Sequence, residues 1–405
     1  MTDVSGPPPD ADVVLAGGGL ANVLIALRLK AVQPQVRTLI IERGATLGGN
    51  HTWSFHDSDV SDAERAWLQP LIETHWNAQE VRFPKFRRRL ETGYNSIPSE
   101  RLHDVALAEL GSAAVLFSAA IADLTPTEVR LADGRVLRAG AVIDGRGPVM
   151  DAPLAFGYQK FVGLEIECEA PHGIELPIIM DATVEQFDGY RFMYSLPFTP
   201  TRILLEDTFY ADGPENDDER LRGTIRAYAQ AKGIRIARVI REEAGVLPIT
   251  LAGDIDKFWR RMGPEIPRSG LRALLFHPTT GYSLGLAARV ADMVANLSDL
   301  NPRAIASRIE RFSRTVWTGQ KMFRLLNRML FLAATPAERR GVLERHYTMP
   351  EPLIQRFYAG RLTSVDCVRI LSGKPPVAMS RAMTALGESG AWTFAAARPA
   401  AVRLG

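Results

Sequence analysis

The sequence predicts an α/β protein: a Rossmann-like nucleotide-binding domain interleaved with an antiparallel-sheet domain and followed by C-terminal helices. Three observations carry that prediction. Residues 12–43, DVVLAGGGLANVLIALRLKAVQPQVRTLIIER, read as buried strand, glycine turn, helix, second buried strand and acid, which is the order of a dinucleotide-binding unit. Residues 155–265 instead hold apolar runs separated by turns, the pattern of antiparallel strands. From residue 303 onward apolar residues recur at helical spacing.

At 405 residues the chain is long enough for two domains. A hydrophobic content of 46% and a net charge of +2 describe a globular protein and argue against nucleic acid as a partner. The two cysteines, Cys168 and Cys367, stand far apart without metal-ligand spacing. They imply a reducing compartment and no metal site. Residues 13–29 are apolar but include three glycines, Asn22 and Arg28, which suits a buried βα unit better than a membrane span. No other window reaches about 18 uncharged apolar residues. The first 12 residues are polar and proline-rich, unlike a secretory leader. The expectation is a cytoplasmic protein, soluble or peripherally attached.

Within the first unit, Gly17 permits a tight turn and Gly19 lets backbone approach a pyrophosphate at a helix N-terminus. Glu42, 23 residues after Gly19, would accept from a ribose hydroxyl. The third fingerprint position is Asn22 rather than glycine, a departure expected to weaken helix–strand packing. Up to this point NAD and FAD fit equally. Residues 47–53, LGGNHTW, add a second glycine loop. Alone it is an ordinary turn; after the ribose acid it suggests a longer cofactor, as FAD is. Residues 128–147 read as a hairpin around Asp133-Gly134 running into a strand that ends in Asp144-Gly145. Residues 271–276 read as another buried strand, and HPTTGYSLG then opens a helix through residue 296. The predicted flavin contacts are Gly17, Gly19, Asn22, Glu42 and Arg43, then Gly48, Gly49 and Asn50. Asp144 and Gly145 follow, with Pro278, Thr280 and Gly281 from the late helix start. Residues 1–60, 99–154 and 266–300 thus form the FAD-binding domain, 61–98 and 155–265 the substrate domain, and 301–405 a helical region.

Residues 57–76 read as one or two helices and residues 99–110 as a helix capped by Ser99. Residues 81–90 crowd Arg82, Lys85, Arg87, Arg88 and Arg89 around Phe83 and Phe86. This is a solvated strand face or a site for an anionic surface. Residues 203–210, ILLEDTFY, set two acids at the end of an apolar strand, and pleat alternation sends Glu206 and Asp207 to opposite faces. One faces a cavity or core, the other solvent or the next layer; from spacing alone a salt-bridged strand end is the simpler explanation of the pair. Residues 234–240 form a strand, and EEAGVLPI after it ends in an exposed turn. Residues 321–334, KMFRLLNRMLFLAA, fit a core helix or a helix lying on an anionic bilayer.

Taken together, GGGLAN, GGNHTWSFH, VIDGRG, PIIMDATVEQFDGYRFMYSLP, LLEDTFY, GVLPITL, FHPTTGYSL and RLLNRMLFLA resemble the bacterial lycopene β-cyclases over residues 12–378. The resemblance implies a p-hydroxybenzoate-hydroxylase-like fold, bound FAD, and conversion of lycopene through γ-carotene to β-carotene. That reaction is an isomerisation, yet the family requires reduced FAD, with NAD(P)H as electron source. Glu206 matches the family's essential acid, as proton donor or cation stabiliser; Asp207 is the less favoured candidate. Tyr190, Phe192, Tyr194 and Tyr282 are candidates to face the substrate cation. Because lycopene dissolves in membranes, contact with the cytoplasmic membrane surface through residues 303–347 is expected, with no obligate protein partner. Hydroxylases of this fold hold the ribityl chain with a Gly-Asp pair. Phe276-His277 stands here, so that contact is missing or replaced. The rival readings are a flavin-dependent isoprenoid reductase or monooxygenase, and a non-catalytic lipid escort.

Overall fold

In the computed structural model, residues 8–149, 153–187, 189–372 and 377–397 are described; the first seven residues of the polar N-terminal stretch lie outside them. The chain runs through β1 (Ala11–Ala16), α1 (Leu20–Val32), β2 (Thr38–Ile41), β3 (Thr52–His56), α2 (Asp62–Leu68), β4 (Thr74–Trp76) and β5 (Gln79–Phe83). Next come β6 (Phe86–Leu90), β7 (Tyr94–Pro98), α3 (Ser99–Leu110), β8 (Val115–Leu116), β9 (Ile121–Leu124), β10 (Glu128–Leu131) and β11 (Val136–Asp144). β12 (Leu154–Cys168), β13 (Ile178–Asp181), β14 (Tyr190–Pro197), β15 (Arg202–Ala211), α4 (Asp218–Ala231), β16 (Ile236–Gly253), α5 (Ile255–Met262) and α6 (Leu284–Ala295) follow. The remaining helices are α7 (Pro302–Gly319), α8 (Lys321–Arg328), α9 (Pro336–Tyr347), α10 (Glu351–Tyr358), α11 (Ser364–Leu371), α12 (Met379–Leu386) and α13 (Ser389–Ala396).

Val13, Val14 and Leu15 are completely buried, because β1 is central in a six-stranded sheet of order β8-β2-β1-β11-β10-β9. β1 pairs in parallel with β2 and β11, as a strand–helix–strand crossover requires. Val13 and Leu15 share a core with Leu24 and Ile25 of α1 and Val290 and Ala291 of α6. Val14 and Ala16 share another with Ile41, Val129 and Val142.

The second sheet has seven strands, order β16-β12-β15-β14-β13-β5-β6, antiparallel except where β13 meets β5. Its long strands read apolar on both faces because both are covered. On one face Val162, Leu164, Met193, Ile203 and Leu205 pack on Leu221, Ile225 and Tyr228 of α4. On the other, Phe192, Leu204, Tyr210 and Ile249 share a core with Phe323, Phe331, Tyr347, Phe357 and Tyr358 from the C-terminal helices. Burying Phe323 and Phe331 contributes roughly 1.5–3 kcal/mol each. A Cβ on Gly157 of β12 would overlap the Phe331 ring. A small third sheet, β3-β7-β4, comes from the stretch between β2 and β8, which also supplies β5 and β6 to the second sheet.

Several elements differ from the reading of the sequence. Residues 271–276 are no strand: Gly270–Ala273 is a 3₁₀ turn and Leu274 takes φ 57°. A short buried apolar run has no periodicity that separates strand from coil. EEAGVLPI is no turn, because β16 runs through it to Gly253. Pro248 is tolerated there because β16 is an edge strand paired only with β12, so no ladder bond misses its N–H. Residues 57–76 hold one short helix, α2, between 3₁₀ turns, then β4. Ser99 begins α3 while Pro98 takes the cap position. The arginines of β5 and β6 divide: Arg87 and Arg89 are exposed, as on a solvated strand face, whereas Arg82 pairs with Glu80 and Arg88 donates to the carbonyls of Tyr347 and Met349.

Candidate active site

Two groups of residues converge, one from the loops of the first sheet and one from a face of the second. In the loops, Gly17 adopts φ 96° and a Cβ there would stand 3.2 Å from the Gly145 carbonyl oxygen. Gly145 N–H donates to Ala16 O at 2.9 Å. Asn22 explains its place in the fingerprint. It is buried, and its Nδ2 donates to Ala16 O at 3.0 Å and Gly17 O at 2.9 Å. Its Oδ1 accepts from Ser269 Oγ at 2.6 Å. The side chain therefore ties the end of β1 and the start of α1 to the distant segment at Ser269, and a Cβ on Gly145 would stand only 2.6 Å from its Nδ2. Packing is fastened at this position rather than weakened.

Glu42 accepts from Gly18 N–H and Gly44 N–H, each at 2.7 Å, one on each carboxylate oxygen. Lone pairs remain on both for a further donor. Gly48 N–H donates to Gly18 O at 2.8 Å, joining the two glycine loops. Gly19 and Gly49 are exposed and have open space where a Cβ would be, and Arg43 is exposed too. No side chain caps α1 and its first turn holds no acid, so the helix end can take an anion.

Asp144 is buried; burial pushes its carboxyl up, but Arg146 at 2.8 Å and Arg272 at 2.7 Å outweigh that and hold it below its usual value. In the late loop His277 is buried too. Its Nδ1 accepts from Thr279 and Thr280 N–H, each at 3.2 Å, and Nε2 faces the Phe357 carbonyl at 2.9 Å. Burial pushes its pKa down to about 4, so it stays neutral and shapes the loop. Pro278 O accepts from Asn327 Nδ2 at 2.8 Å, Thr280 is buried, and a Cβ on Gly281 would meet Leu247 at 2.8 Å. These contacts seat the loop on β16.

In the second group, register pairs Tyr194 with Glu206, Glu206 with Gly163, and Gly163 with Glu243, a single row across β14, β15, β12 and β16. Directly paired residues share a face. Tyr194 in β14, and Glu206 between Ile203 and Ala211, are each the one residue that keeps part of its surface accessible, although protein encloses both. Space therefore lies over these two neighbours. Tyr94 links its hydroxyl to Tyr194 at 2.9 Å and to Tyr282 at 2.8 Å. Tyr190, Phe192 and Tyr210 pack alongside with tilted rings, their centroids 5.4–6.4 Å apart. The predicted aromatics thus meet on one face.

Glu206 accepts from Thr208 Oγ1 at 2.5 Å, and no cation pairs with it among the described residues. Burial first, then the charge of Glu243, pushes its pKa up to about 8, so it holds its proton at neutral pH. Asp207 points the other way. Arg191 Nε and Nη2 donate to it at 2.8 and 2.6 Å, and Thr224 adds a third donor from α4. The two groups of residues are joined at β16: Arg241 donates to Asn50 Oδ1 at 3.2 Å, to Thr52 Oγ1 at 2.6 Å and to Glu243 at 2.7 Å. Asn50 also donates to the Glu242 carbonyl.

The family described as lycopene cyclase protein matches residues 12–384. The chain belongs to the lycopene cyclase family. It is 49% identical to the lycopene beta-cyclase of Pseudescherichia vulneris, covering 92% of this chain and 96% of that one. It is 48% identical to the lycopene beta-cyclase of Pantoea ananas, covering 93% and 98%. Among solved structures, PqsL of Pseudomonas aeruginosa, a probable FAD-dependent monooxygenase, aligns at TM-score 0.54 and 18% identity over 79% of this chain and 96% of its own. A geranylgeranyl bacteriochlorophyll reductase-like protein of Thermoplasma acidophilum aligns at TM-score 0.56 and 13% identity, over 90% and 96%. At such identities the likeness is one of fold. The residues that sequence reasoning missed in this lycopene cyclase family member are Tyr94, Arg241 and Glu243. Only Gly163, a lone glycine inside a strand, signalled a close approach there.

Proposed function

We propose that this protein is a lycopene β-cyclase, converting lycopene through γ-carotene to β-carotene with Glu206 as the proton donor. The observation that carries the reading is the register pair Tyr194–Glu206, an acid with no cation partner among the described residues beside an aromatic face with space over both. Glu206 gives its proton to the terminal double bond, leaving a tertiary cation. The neighbouring double bond attacks that cation and closes a six-membered ring, and loss of the proton next to the polyene completes the β ring. The proton added equals the proton lost, so no electrons are consumed. A buried acid that keeps its proton can do this at neutral pH. The faces of Tyr194, Tyr282, Phe192 and Tyr190 stabilise the cation, at roughly 0.5–2 kcal/mol for each ring that meets it.

FAD fits the loops around Gly19 and Gly49, where open space faces the uncapped end of α1. Glu42 keeps lone pairs for the ribose, and Gly17 and Gly145 close the floor. When bound and reduced, with NAD(P)H as the electron source, flavin supplies negative charge that stabilises a nearby cation. The binding residues in this reading are Gly17, Gly19, Glu42, Arg43, Gly48, Gly49, Gly145 and the 278–281 loop. Asn22, Asn50 and Asp144, spent on protein partners, hold the loops in place.

Lycopene must be drawn from a bilayer, and we propose that α11 and α12 make the contact. Among the described residues no helix is long and apolar enough to cross a membrane. The 321–334 segment is an inner helix: Phe323, Leu330 and Phe331 are buried, and Arg328 donates to the carbonyls of Leu251, Ala385 and Leu386. Val365, Val368 and Leu371 of α11 and Met379, Met383 and Leu386 of α12 are instead 49–76% exposed. Such stripes at helical spacing suit an interfacial helix. Flotation with anionic liposomes should carry the parent protein, and Val368→Ser/Met383→Ser should leave most of it behind; equal flotation of both would discard this surface.

Incubation of protein, FAD, reductant and lycopene, with chromatographic identification of products, tests the whole reading. β-Carotene without stoichiometric NAD(P)H consumption is the expected result. Consumption in proportion to product would mean a reductase or monooxygenase, and unchanged lycopene an escort.

A further inference from the structure

We propose that Glu243 is a positioning residue of the cyclisation, its carboxylate laid over Gly163 so that Glu206 meets the substrate as an acid rather than as a carboxylate. The inference rests on the assignment of Glu206 as proton donor. Register sets Glu206, Gly163 and Glu243 side by side on one face of β15, β12 and β16. Any side chain on the middle strand would stand between the acids. A Cβ at Gly163 would lie 3.1 Å from Glu243 Cγ and 3.4 Å from its Oε1. The glycine therefore leaves room for Glu243 to lean over the strand that separates it from Glu206.

The two oxygens of Glu243 are used differently. Oε2 accepts from Arg241 Nη1 at 2.7 Å and from Thr52 Oγ1 at 3.0 Å. Those bonds fix the side chain while Oε1 lies over Gly163. Arg241 does not cancel the charge, because it is shared. Its guanidinium also reaches Glu165 of β12 at 3.2 Å and Glu100 of α3 at 3.5 Å. His51, from the loop before β3, adds no cation, since burial holds it below the usual imidazole value. On β15 itself Asp207 adds a second negative charge from the opposite face, and Tyr194 on β14 is a neutral phenol that burial holds well above its usual pKa. The field at Glu206 is thus set by burial and by carboxylates, with Glu243 the charge that acts on it most. A negative charge there makes loss of the Glu206 proton to water harder, and it attracts the carbocation that forms once the proton goes to substrate.

The test is the pH profile of β-carotene formation by the flavin-loaded protein, for parent, Glu243→Gln and Glu243→Asp. In the parent the rate falls as pH rises through the Glu206 value, about 8. Glu243→Gln should move that alkaline limb down by at least about one pH unit, so that the parent-to-variant rate ratio grows about fivefold or more between about pH 6 and about pH 8. Glu243→Asp keeps the charge but draws it back, and should move the limb by less in the same direction. A uniform loss at every pH, or no loss, with the limb unmoved, overturns the proposal. Should Glu243→Gln fail to fold or to bind flavin, the aspartate variant decides: a limb where the parent has it overturns the proposal. Absence of β-carotene from the parent would instead overturn the cyclase reading itself.

Discussion

Glu206 and Asp207 share a peptide bond, are both enclosed by protein, and lead opposite lives. Asp207 is held by Arg191 at 2.6 Å with Thr224 beside it, against the α4 layer. Glu206 faces aromatics, a threonine hydroxyl and a second carboxylate, with no cation partner among the described residues. Alternation on a strand suffices to separate them, because successive side chains enter different layers. A paired buried charge serves the fold, whereas an unpaired buried acid stores a proton.

The sharpest way to break this contrast is to neutralise each acid in turn. Glu206→Gln removes the proton donor and little else, so cyclisation should fall by about 10²–10⁴-fold while flavin absorbance and fold persist. Asp207→Asn strands Arg191 in the interior. It should cost roughly 3–5 kcal/mol in chemical denaturation, with turnover per folded molecule within a few-fold of the parent. If the costs were exchanged, activity lost at Asp207 and stability at Glu206, the assignment of the two faces would be wrong.

The same contrast has a pH signature. A carboxyl whose folded pKa is raised contributes stability that is fully present below its ordinary value, about 4.5, and is lost as pH rises through about 8. The parent should therefore lose stability relative to Glu206→Gln across that window, read as a widening gap in Tm. Below about pH 4 the two should melt alike. A gap that does not widen would mean that Glu206 titrates normally and is solvated.

How much of this was visible in the chain depends on how local the cause is. β1, α1, β2 and Glu42 are legible because a glycine turn between a buried run and a helical one is decided within about 30 residues. The separation of Glu206 from Asp207 is legible because alternation is a property of one strand. Glu243 is not, since its neighbourhood with Glu206 depends on the register of three strands spread from Leu154 to Gly253. Tyr94 comes from β7 in another sheet and meets Tyr194 and Tyr282 only in the folded chain. The run at 271–276 misleads for a related reason: coil packed on all sides carries the apolar residues of a buried strand, but not its ladder.

Asn22 extends the comparison to the loops, as a buried polar group that, like Asp207, is fully paired. Asn22→Gly restores the usual fingerprint glycine yet deprives Ser269 Oγ and the Gly17 carbonyl of their partner and the Ala16 carbonyl of one of two. Loss of about 1–3 kcal/mol is expected, seen as roughly tenfold or greater weakening of FAD binding by fluorescence titration. The saturated variant should keep the parent's pH profile. Tighter FAD binding would show that the glycine serves this site as it serves others.

The smallest effect expected is at the tyrosine trio, and it asks whether the face over Glu206 works through rings or through hydroxyls. Tyr94 OH bonds both Tyr194 OH and Tyr282 OH, and burial holds all three phenols well above their usual pKa. Neutral phenols are poor bases, so the rings rather than the oxygens should matter to a cation. Tyr94→Phe keeps the ring and removes two neutral hydrogen bonds, each worth about 0.5–1.5 kcal/mol. Turnover should drop only a few-fold, and Tyr194→Phe should behave alike. Tyr194→Leu, which removes a π face beside Glu206, should cost more than either, by roughly the 0.5–2 kcal/mol of one cation–π contact. A hundredfold loss in Tyr94→Phe, with flavin still bound, would place a hydroxyl in the proton path and make the aromatic face a participant in the acid–base chemistry now assigned to Glu206.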